Sequence, residues 1–516
     1  MEQIKTIPKE KFSFVSGGDK VHDKKLDTKP VGYFTDAFRR FCKNKGSVVG
    51  AVIILVLILF AIIAPFCTPY SVAYKDAYFR ETLPKSSLFA GTSFWDGCKT
   101  KEASKARFKY LFAMGEETGH NAVKNQEYKL TDDGMYRYRE DSYYSAGCIY
   151  KNFTLEEYAR LTKYQDETGV QVIYPTVRIA DRPKATQDFE DANYYFKTEG
   201  TTRTRIVYDE NDNVIPVYWT YKAGEDDSYP YNSLRIEGEN GFEKDGETYY
   251  YAYARPVPTG VQCRINYYEY YVYNHSYVLK DGISKPVFLF GTTGDGQDIL
   301  TCLASGARFS FIFAIAVAIV NMAVGAIYGA IEGYYGGKTD LIMERVSDIL
   351  SAVPMMIIIT LLKLHMGASS QILVLFLAFF LTGWIGMAGS TRMQFYRFKN
   401  REYVLAARTL GASDRRLMFK HIFPNALGTL VTGSALVIPS MIYSETNLSY
   451  LGIINLSSGN ITSVGTLIAG GQALMETSPH IALFPSIFLA LLMLSFNLFG
   501  NGLRDAFNPS LRGTEG

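Results

Sequence analysis

The sequence lacks the short motifs that mark common enzyme active sites. It contains no GxxxxGK[ST], no HExxH and no GxSxG pattern, and no Cys is paired with a nearby His. Because the GxxxxGK[ST] loop is absent, the chain cannot hold ATP phosphates in the P-loop manner. We therefore predict that this chain is not an enzyme, that it binds no cofactor, and that any energy it uses comes from another polypeptide.

Cysteine is scarce, and neither sign of charge dominates. The six Cys show no CxxC or Cys/His spacing, which argues against a structural zinc site. Cys98, Cys148 and Cys263 lie in the polar middle of the chain, so at most one pair can form there, and the sequence does not select it. The formal net charge is +2, and no basic stretch is typical of nucleic-acid binding.

Apolar residues are concentrated in two parts of the chain. The mean hydropathy of −0.02 averages a polar, Tyr-rich segment at 71–286 with strongly apolar sequence at 47–67 and across most of 305–500. The uncharged run Ser47–Cys67 is about 20 residues long, enough to cross roughly 30 Å of hydrocarbon. Five further spans are predicted at 308–331, 346–364, 371–391, 426–448 and 481–500.

Basic residues predict the orientation of these spans. Lys and Arg precede the first span, and they are dense again between the fourth and fifth, in the segment 397–425, which we name the basic loop. Retained loops carry this excess on the cytoplasmic side. We expect a cell-membrane protein with both termini cytoplasmic and 71–286, which we name the insert, outside. The expected divisions are 1–46, 47–67, 71–286, 287–507 and 508–516.

The insert is predicted to be a compact α+β domain. Thr154 with Glu157 forms a capping box, and Gly169 ends that helix. RIVYDENDNVIPVYWTY predicts a hairpin turning at Asn211–Asn213, and ETYYYAYARPV and INYYEYYVYNHSYVL predict further strands. The many Tyr are interpreted first as packing and second as a peptide-contacting surface. The expected fold is an all-α membrane bundle with this α+β insertion between the first two helices.

The basic loop has the pattern of a helix, a turn and a helix. Good helix formers run from Glu402 to Leu410, and Gly411 breaks the run. Ala412-Ser413-Asp414 is predicted to cap a second helix near Arg415, and Pro424 to end it.

The loop sequence REYVLAARTLGASDRRLMFKHIFPN resembles the coupling loop of ABC importer membrane subunits, and most closely that of the dipeptide and oligopeptide branch. Ala406, Ala407, Gly411 and Pro424 hold the matching places, whereas Leu405 stands where that family usually has Glu. KNKGSVVGAVIIL with APFCTPY, FGTTGDGQDIL and NLFGNGLRDAFNP resemble three further motifs of the family's C-type permease subunit. The resemblance covers about the first 70 and the last 230 residues.

This resemblance implies a peptide-import permease. It would form the path with a second, homologous permease, receive peptide from an extracytoplasmic binding protein, and be driven by two cytoplasmic ATPases that hold the ATP and Mg. It would contact membrane lipid and no nucleic acid. The ATPase contacts would be made by loop residues Glu402, Tyr403, Ala406, Ala407, Arg408, Gly411, Ala412, Ser413 and Arg416.

Residues at membrane depth are the candidates for the translocation path. Glu445 is ionisable, and such residues usually face a bundle interior or a wet pathway. A plain interfacial hydrogen bond is an equal alternative. Pro354, placed inside the third predicted span, and Ser440 complete the expected path set. Import of a nickel chelate or another small solute, and a membrane-anchored external sensor, remain alternative functions.

Overall fold

The computed structural model describes residues 33–89, 92–177, 192–200, 205–222, 241–367, 371–456 and 461–507. Most of the expected segment 1–46 and all of 508–516 therefore lie outside the described residues. Within them, five helices are long and apolar enough to cross a membrane, or six if one bent pair counts as a single span. The protein is a helical membrane bundle that carries a separate set of β-sheets.

The first span is preceded by a short amphipathic helix. Helix α1 is Tyr33–Lys43, and α2 is Lys45–Cys67, the predicted first span. Asn44 begins α2 by accepting a hydrogen bond from the Ser47 N–H at 3.3 Å. Helix α2 packs against the last helix of the chain and against the second span.

The second span is longer than the predicted 308–331. Helix α6 runs over Ile299–Tyr335, because Asp298 caps it at 2.9 Å from the Thr301 N–H and no breaker follows. (Helices α3 to α5 belong to the insert.) Gly329 and Gly333 lie directly against a later helix, where a Cβ would come within 2.1 Å of the Ala388 carbonyl oxygen and 2.7 Å of the Arg392 carbonyl oxygen. The missing side chains allow this close helix contact.

The third predicted span, 346–364, is broken. Helix α7 is Gly337–Ser351 and α8 is Met355–Met366, and the two are bent by 72°. Pro354 lies at this break and precedes α8. If the pair is counted as one span, Pro354 marks its bend; if it is counted as two helices, Pro354 stands between them. Proline has no N–H to donate and disfavours helical geometry in the residue before it, so the break falls there.

The fourth and fifth spans extend beyond their predicted ends. Helices α9, Gln371–Gly383, and α10, Ile385–Phe398, follow each other across Trp384. Helix α13, Phe423–Tyr450, continues from a π-helical turn at Leu417–Ile422. Pro424 therefore does not end the loop's second helix: it occupies the first turn of α13, where its missing N–H costs no hydrogen bond.

The chain closes with two more helices, α14, Val464–Gln472, and α15, His480–Phe507. Between α10 and α13 lie the short loop helices α11, Glu402–Thr409, and α12, Asp414–Arg416.

The insert contains three helices and four small sheets among its described residues. The helices are α3, Lys105–Thr118, α4, Leu155–Thr168, and α5, Tyr267–Tyr273. The strands are β1 Cys98–Ala103, β2 Val123–Leu130, β3 Tyr136–Asp141, β4 Cys148–Phe153, β5 Ile173–Tyr174, β6 Thr198–Glu199, β7 Arg205–Ile206, β8 Thr220–Lys222, β9 Gly241–Lys244, β10 Glu247–Tyr251, β11 Ala254–Val257 and β12 Gly260–Asn266. Their sheet orders are β1-β3-β2, β8-β10-β9, β11-β12-β4 with β5 beside β12, and β6-β7.

Two local predictions in the insert are confirmed. Thr154 and Glu157 form both hydrogen bonds of the capping box, and Gly169 follows α4 in the left-handed conformation. The hairpin turns at Asn211–Asn213, where the Asp209 N–H donates to the Asn213 carbonyl at 2.8 Å.

The predicted strand INYYEYYVYNHSYVL is wrong. After β12 the chain turns into α5 and then a π-helical segment, Asn274–Leu279. Asn266 starts α5 by accepting from the Glu269 N–H at 3.1 Å, and Tyr267 and Tyr271, one helical turn apart, are buried. ETYYYAYARPV likewise divides into β10 and β11. Many insert Tyr are core residues, and Cys98, Cys148 and Cys263 are free thiols.

The insert joins the bundle through two segments that are bound to each other. The Asp76 N–H donates to the Gly296 carbonyl at 3.1 Å, and the Lys85 N–H donates to the Phe288 carbonyl at 3.0 Å. Between these, the Thr292 N–H donates to the Thr82 carbonyl at 2.9 Å. The chain therefore leaves and re-enters the bundle at one place.

Candidate coupling loop and membrane path

The basic loop folds as a helix, a turn and a helix, as its sequence predicts. Helix α11 begins after Arg401, and the turn passes through Gly411, whose φ of +84° favours glycine. Ser413 takes the N-cap position of α12, but its side chain makes no capping hydrogen bond there. The Ala412 N–H closes the turn by donating to the Ala407 carbonyl at 3.1 Å.

One side of the loop is fixed to the bundle by an apolar cluster. Val404, Leu417 and Ile422 are fully buried and pack with Tyr334 of α6 and Phe395 of α10. The loop is therefore attached by packing to the ends of α6 and α10.

Tyr334 adds polar contacts that sequence reasoning missed. Its hydroxyl donates to Asp414 Oδ1 at 2.5 Å and accepts from the Arg408 guanidinium at 3.4 Å. Asp414 and Arg408 are far from Tyr334 in the sequence, so no spacing pattern predicts these contacts. The only local signal is the pair of Tyr residues at the end of an apolar run, a position where a side chain can hold a loop to the helix.

The opposite side of the loop is open to solvent. Of the predicted ATPase contacts, Ala407 and Ala412 are half-buried against the cluster, and the exposed ones are Glu402, Tyr403, Ala406, Arg408, Gly411, Ser413 and Arg416. Leu410, 88% exposed, and Leu405, 43% exposed, give this face apolar points among its Arg side chains. This side therefore presents a basic surface with exposed apolar side chains.

A second polar cluster joins α7 to α10 near the loop. Arg392 donates to Asp340 at 2.6 Å and to Glu344 at 2.7 Å. The Tyr396 hydroxyl also donates to Asp340, at 2.6 Å. One guanidinium thus holds two carboxylates, and the bent third span is attached to the helix that leads into the loop.

The three predicted path residues do not form one cluster. Glu445 is buried inside the bundle, where the hydroxyls of Ser449 and Ser310 donate to it at 3.0 and 3.2 Å. Ser440, on the same helix, is exposed, and Pro354 is exposed at the break between α7 and α8. Among the residues that the structure describes, no group of three or more His, Cys, Asp or Glu side chains is placed to hold a metal ion.

Two family models match the chain on either side of the insert. Residues 321–513 match the model described as "Binding-protein-dependent transport system inner membrane component". Residues 32–84 match "N-terminal TM domain of oligopeptide transport permease C". The second match extends into the paired segment at the base of the insert.

Curated relatives agree with these matches. The chain is 41% identical over 223 residues to the oligopeptide transport system permease protein OppC of Bacillus subtilis, covering 43% of this chain and 72% of the relative. It is 41% identical to OppC of Haemophilus influenzae over 223 residues, covering 43% and 70%. The dipeptide transport system permease protein DppC of Lactococcus lactis is 38% identical over 226 residues, covering 44% and 64%.

Proposed function

The chain belongs to the inner-membrane components of binding-protein-dependent transport systems, among the oligopeptide and dipeptide permeases, and from this membership we propose that it is the permease subunit of an ATP-driven peptide importer. It forms the translocation path with a second, homologous permease. Two ATPases bind on the side of the basic loop, and a peptide-binding protein delivers substrate on the other side.

The basic loop is the single feature that carries this proposal. Its inner side is fixed to α6 and α10 by a buried cluster, while its outer side exposes Arg side chains around Leu405 and Leu410. An ATPase surface with an apolar cleft and acidic rim complements it, because oppositely charged patches guide association and desolvated apolar anchors hold it.

Co-purification and uptake test this function together. We expect the tagged chain to bring with it one second permease and two ATPases. Gly411→Pro and Arg416→Glu should abolish peptide uptake while the bundle stays folded. Arg416→Glu reverses one charge on the exposed face, and Gly411→Pro disrupts the turn, because proline cannot adopt the φ of +84° found there. Lys338→Glu, a matched charge reversal at an exposed site outside the loop, is the control. Wild-type uptake by both loop variants would refute coupling through this surface.

The proposed topology has both termini cytoplasmic and the insert outside. Cysteine labelling of intact cells tests it in a chain where the exposed Cys42 and Cys67 are replaced by Ser. A thiol introduced at Lys163, on the exposed face of α4, should react with an impermeant reagent, and one at Arg416 should react only after the cells are opened. The reverse pattern would invert the topology.

We also propose that the insert serves docking of the peptide-loaded binding protein. Its strand β2 exposes Tyr128 and Leu130, and aromatic rings are enriched at protein interfaces. The acidic clusters predicted to steer a basic partner are Glu225-Asp226-Asp227 and Glu237 to Glu247. The first cluster and residues 237–240 of the second lie outside the described residues, whereas 241–247 form β9, the turn after it and the start of β10.

A linker replacement tests the docking role. Residues 98–282 are exchanged for a Gly/Ser linker, which keeps the hydrogen-bonded base segments around Thr82 and Thr292. The binding protein's affinity for the complex should fall while basal ATP hydrolysis persists. Unchanged affinity and uptake would make the insert a passive cap.

A further inference from the structure

A polar cavity lies at the end of the bundle remote from the basic loop. It has a volume of about 370 Å³, within the usual range for small-ligand sites of roughly 300–1,000 Å³. We name it the mouth cavity. It opens between the segment before α6, the end of α13 and the start of α14. Hydroxyl and amide side chains supply most of its polar lining: Thr293, Gln297, Ser449, Asn455, Thr462 and Thr466.

A buried carboxylate lies beneath one wall of this cavity. Glu445 is 1% exposed, and the cavity-lining Ser449 donates to its Oε1 at 3.0 Å. Ser310 also donates to this carboxylate, at 3.2 Å from the side of α6. In the part of the chain that the structure describes, no Lys, Arg or His side chain forms an ion pair with Glu445.

An unpaired buried carboxylate is costly, because its charge has lost the solvation of water without gaining a cation. The insert shows the usual solution: its fully buried Arg264 donates two hydrogen bonds of 2.7 Å to the partly buried Glu117. Glu445 has hydroxyl partners only. A cation beside Glu445 would stabilise its ionised form, and no side chain among the described residues provides one.

The hydroxyl contacts direct the negative charge toward the cavity. A serine hydroxyl can donate only one hydrogen bond, and Ser449 donates it to Glu445. The lone pairs of the Ser449 oxygen therefore remain available to a donor on the cavity side. Helix α13 also ends at Tyr450, and its last carbonyls add partial negative charge next to the cavity residue Gly452. Both effects favour a ligand that brings N–H donors and positive charge.

We propose that the mouth cavity is a subsite for the protonated amino terminus of the transported peptide, with Glu445 as its counter-charge. This inference rests on the proposed import function and adds a substrate group to it. The ammonium donates to the lone pairs of Ser449, and the neutral hydroxyls and amides of Thr293, Gln297 and Asn455 bond the first peptide groups regardless of side chain.

Equilibrium binding to the purified complex tests the subsite. The complex is placed in nanodiscs without binding protein or nucleotide, and the probes are trialanine carrying a carboxyl-terminal fluorophore and its N-acetylated form. The wild-type complex should bind the free amine about tenfold more tightly, the typical value of one charge-assisted hydrogen bond. Equal affinities for the two probes would overturn the proposal.

Variants of single residues then show which side chains cause the preference for the free amine. Glu445→Gln and Ser449→Ala should each remove most of the preference for the free amine and leave the affinity for the acetylated probe unchanged. Ser310→Ala is the matched control, since it also deletes one hydrogen bond to Glu445 but lies outside the cavity lining, and it should keep the preference. If Glu445→Gln fails to assemble, Ser449→Ala decides alone. Full preference in Ser449→Ala contradicts the subsite.

The outcome is separable from that of the proposed function. A complex that retains its ATPases and imports peptide, but binds both probes equally, refutes the subsite and leaves the import function standing. A chain that recruits no ATPase and supports no uptake refutes the import function itself.

Discussion

One buried charge in the insert and one buried carboxyl in the membrane bundle have opposite surroundings. In the insert, the fully buried Arg264 is paired with Glu117 and lies 3.8 Å from the centre of the Tyr195 ring. In the bundle, Glu445 is equally buried but has serine partners only. The paired site is already satisfied and serves structure. Both oxygens of Glu445 accept a hydrogen bond, but no cation among the described residues balances a negative charge there, so the difference separates a structural contact from a candidate functional one.

The two regions also differ in the size of the side chains that lie between their packed elements. Tyrosine side chains fill the insert, where Tyr143, Tyr195 and Tyr271 are nearly fully buried. The bundle instead brings α6 and α10 together through glycines. The insert core therefore depends on large side chains, whereas the contact between α6 and α10 depends on their absence.

Breaking the insert's ion pair should have the largest effect. Glu117→Gln leaves Arg264 buried and without its carboxylate, which should lower the free energy of unfolding by about 3–5 kcal/mol. Limited proteolysis of the purified complex should show early cleavage within the insert. Glu116→Gln, its exposed neighbour on α3, is the control and should behave as wild type. Equal protease resistance in both variants would contradict a structural role for the pair.

Adding one methyl group at the contact between α6 and α10 should have the second-largest effect on stability. Gly329→Ala puts a Cβ 2.1 Å from the Ala388 carbonyl oxygen, so α6 and α10 must separate. This separation should lower the free energy of unfolding by about 1–3 kcal/mol. Thermal unfolding in detergent measures the loss. Gly386→Ala on α10 meets no atom within 4 Å and should keep or slightly raise the unfolding temperature, since alanine favours a helix more than glycine does. A loss of equal size there would contradict close packing at Gly329 as the cause.

Removing the Tyr334 hydroxyl should have a smaller effect, confined to the loop. Tyr334→Phe keeps the apolar cluster but deletes the hydrogen bond to Asp414, worth about 1–2 kcal/mol since its acceptor is a carboxylate. Peptide uptake per ATP hydrolysed should fall while the assembly stays intact. Tyr335→Phe, exposed and adjacent, is the matched control. An unchanged ratio in Tyr334→Phe would show that the apolar cluster alone positions the loop.

Acidification should give the smallest change, in the insert. The Thr154 N–H, which donates to Glu157 at 2.9 Å, lowers the pKa of that carboxyl below its usual value. A lowered carboxyl pKa stabilises the fold above the unfolded-state pKa, and this contribution is lost as pH falls through the folded-state pKa. Hydrogen exchange of α4, corrected for the intrinsic pH dependence, should therefore lose protection below about pH 4.5.

A glutamine variant isolates this effect. Glu157→Gln can still accept the bond from Thr154 but cannot titrate, so α4 should lose less protection on acidification than in the wild type. If both forms lose protection in parallel, other carboxyls of the insert, such as Asp96, are responsible.

Local signals were enough to predict several elements from the sequence. The α4 capping box and the loop's Gly411 turn depend on residues within a few positions of each other. The same local logic was available at Asn266, three residues before Glu269, where it marks the start of α5. Dense Tyr obscured that signal, because aromatic runs favour strands in general.

The remaining features depend on contacts that span the chain. The hydrogen bond of Tyr334 to Asp414, the attachment of Arg392 to Asp340 and the base pairing of Thr82 with Thr292 each join residues that no spacing rule connects. Pro354 shows a different limit. The composition of the sequence around Pro354 suits a membrane span. Whether a proline bends a helix or ends it is decided by the packing around the break.

Helix α6 is long enough to act as a lever. Its residues Ile299–Tyr335 extend over roughly 55 Å at the usual rise per residue. Tyr334 holds one end to the basic loop, and Asp298 caps the other end beside the mouth cavity. If it pivots as a rigid rod about one end, a tilt of about 5° displaces the other by roughly 5 Å, close to the height of one helical turn. For a rigid helix of this length, a small change of tilt at the loop end therefore corresponds to a displacement of several ångströms beside the mouth cavity.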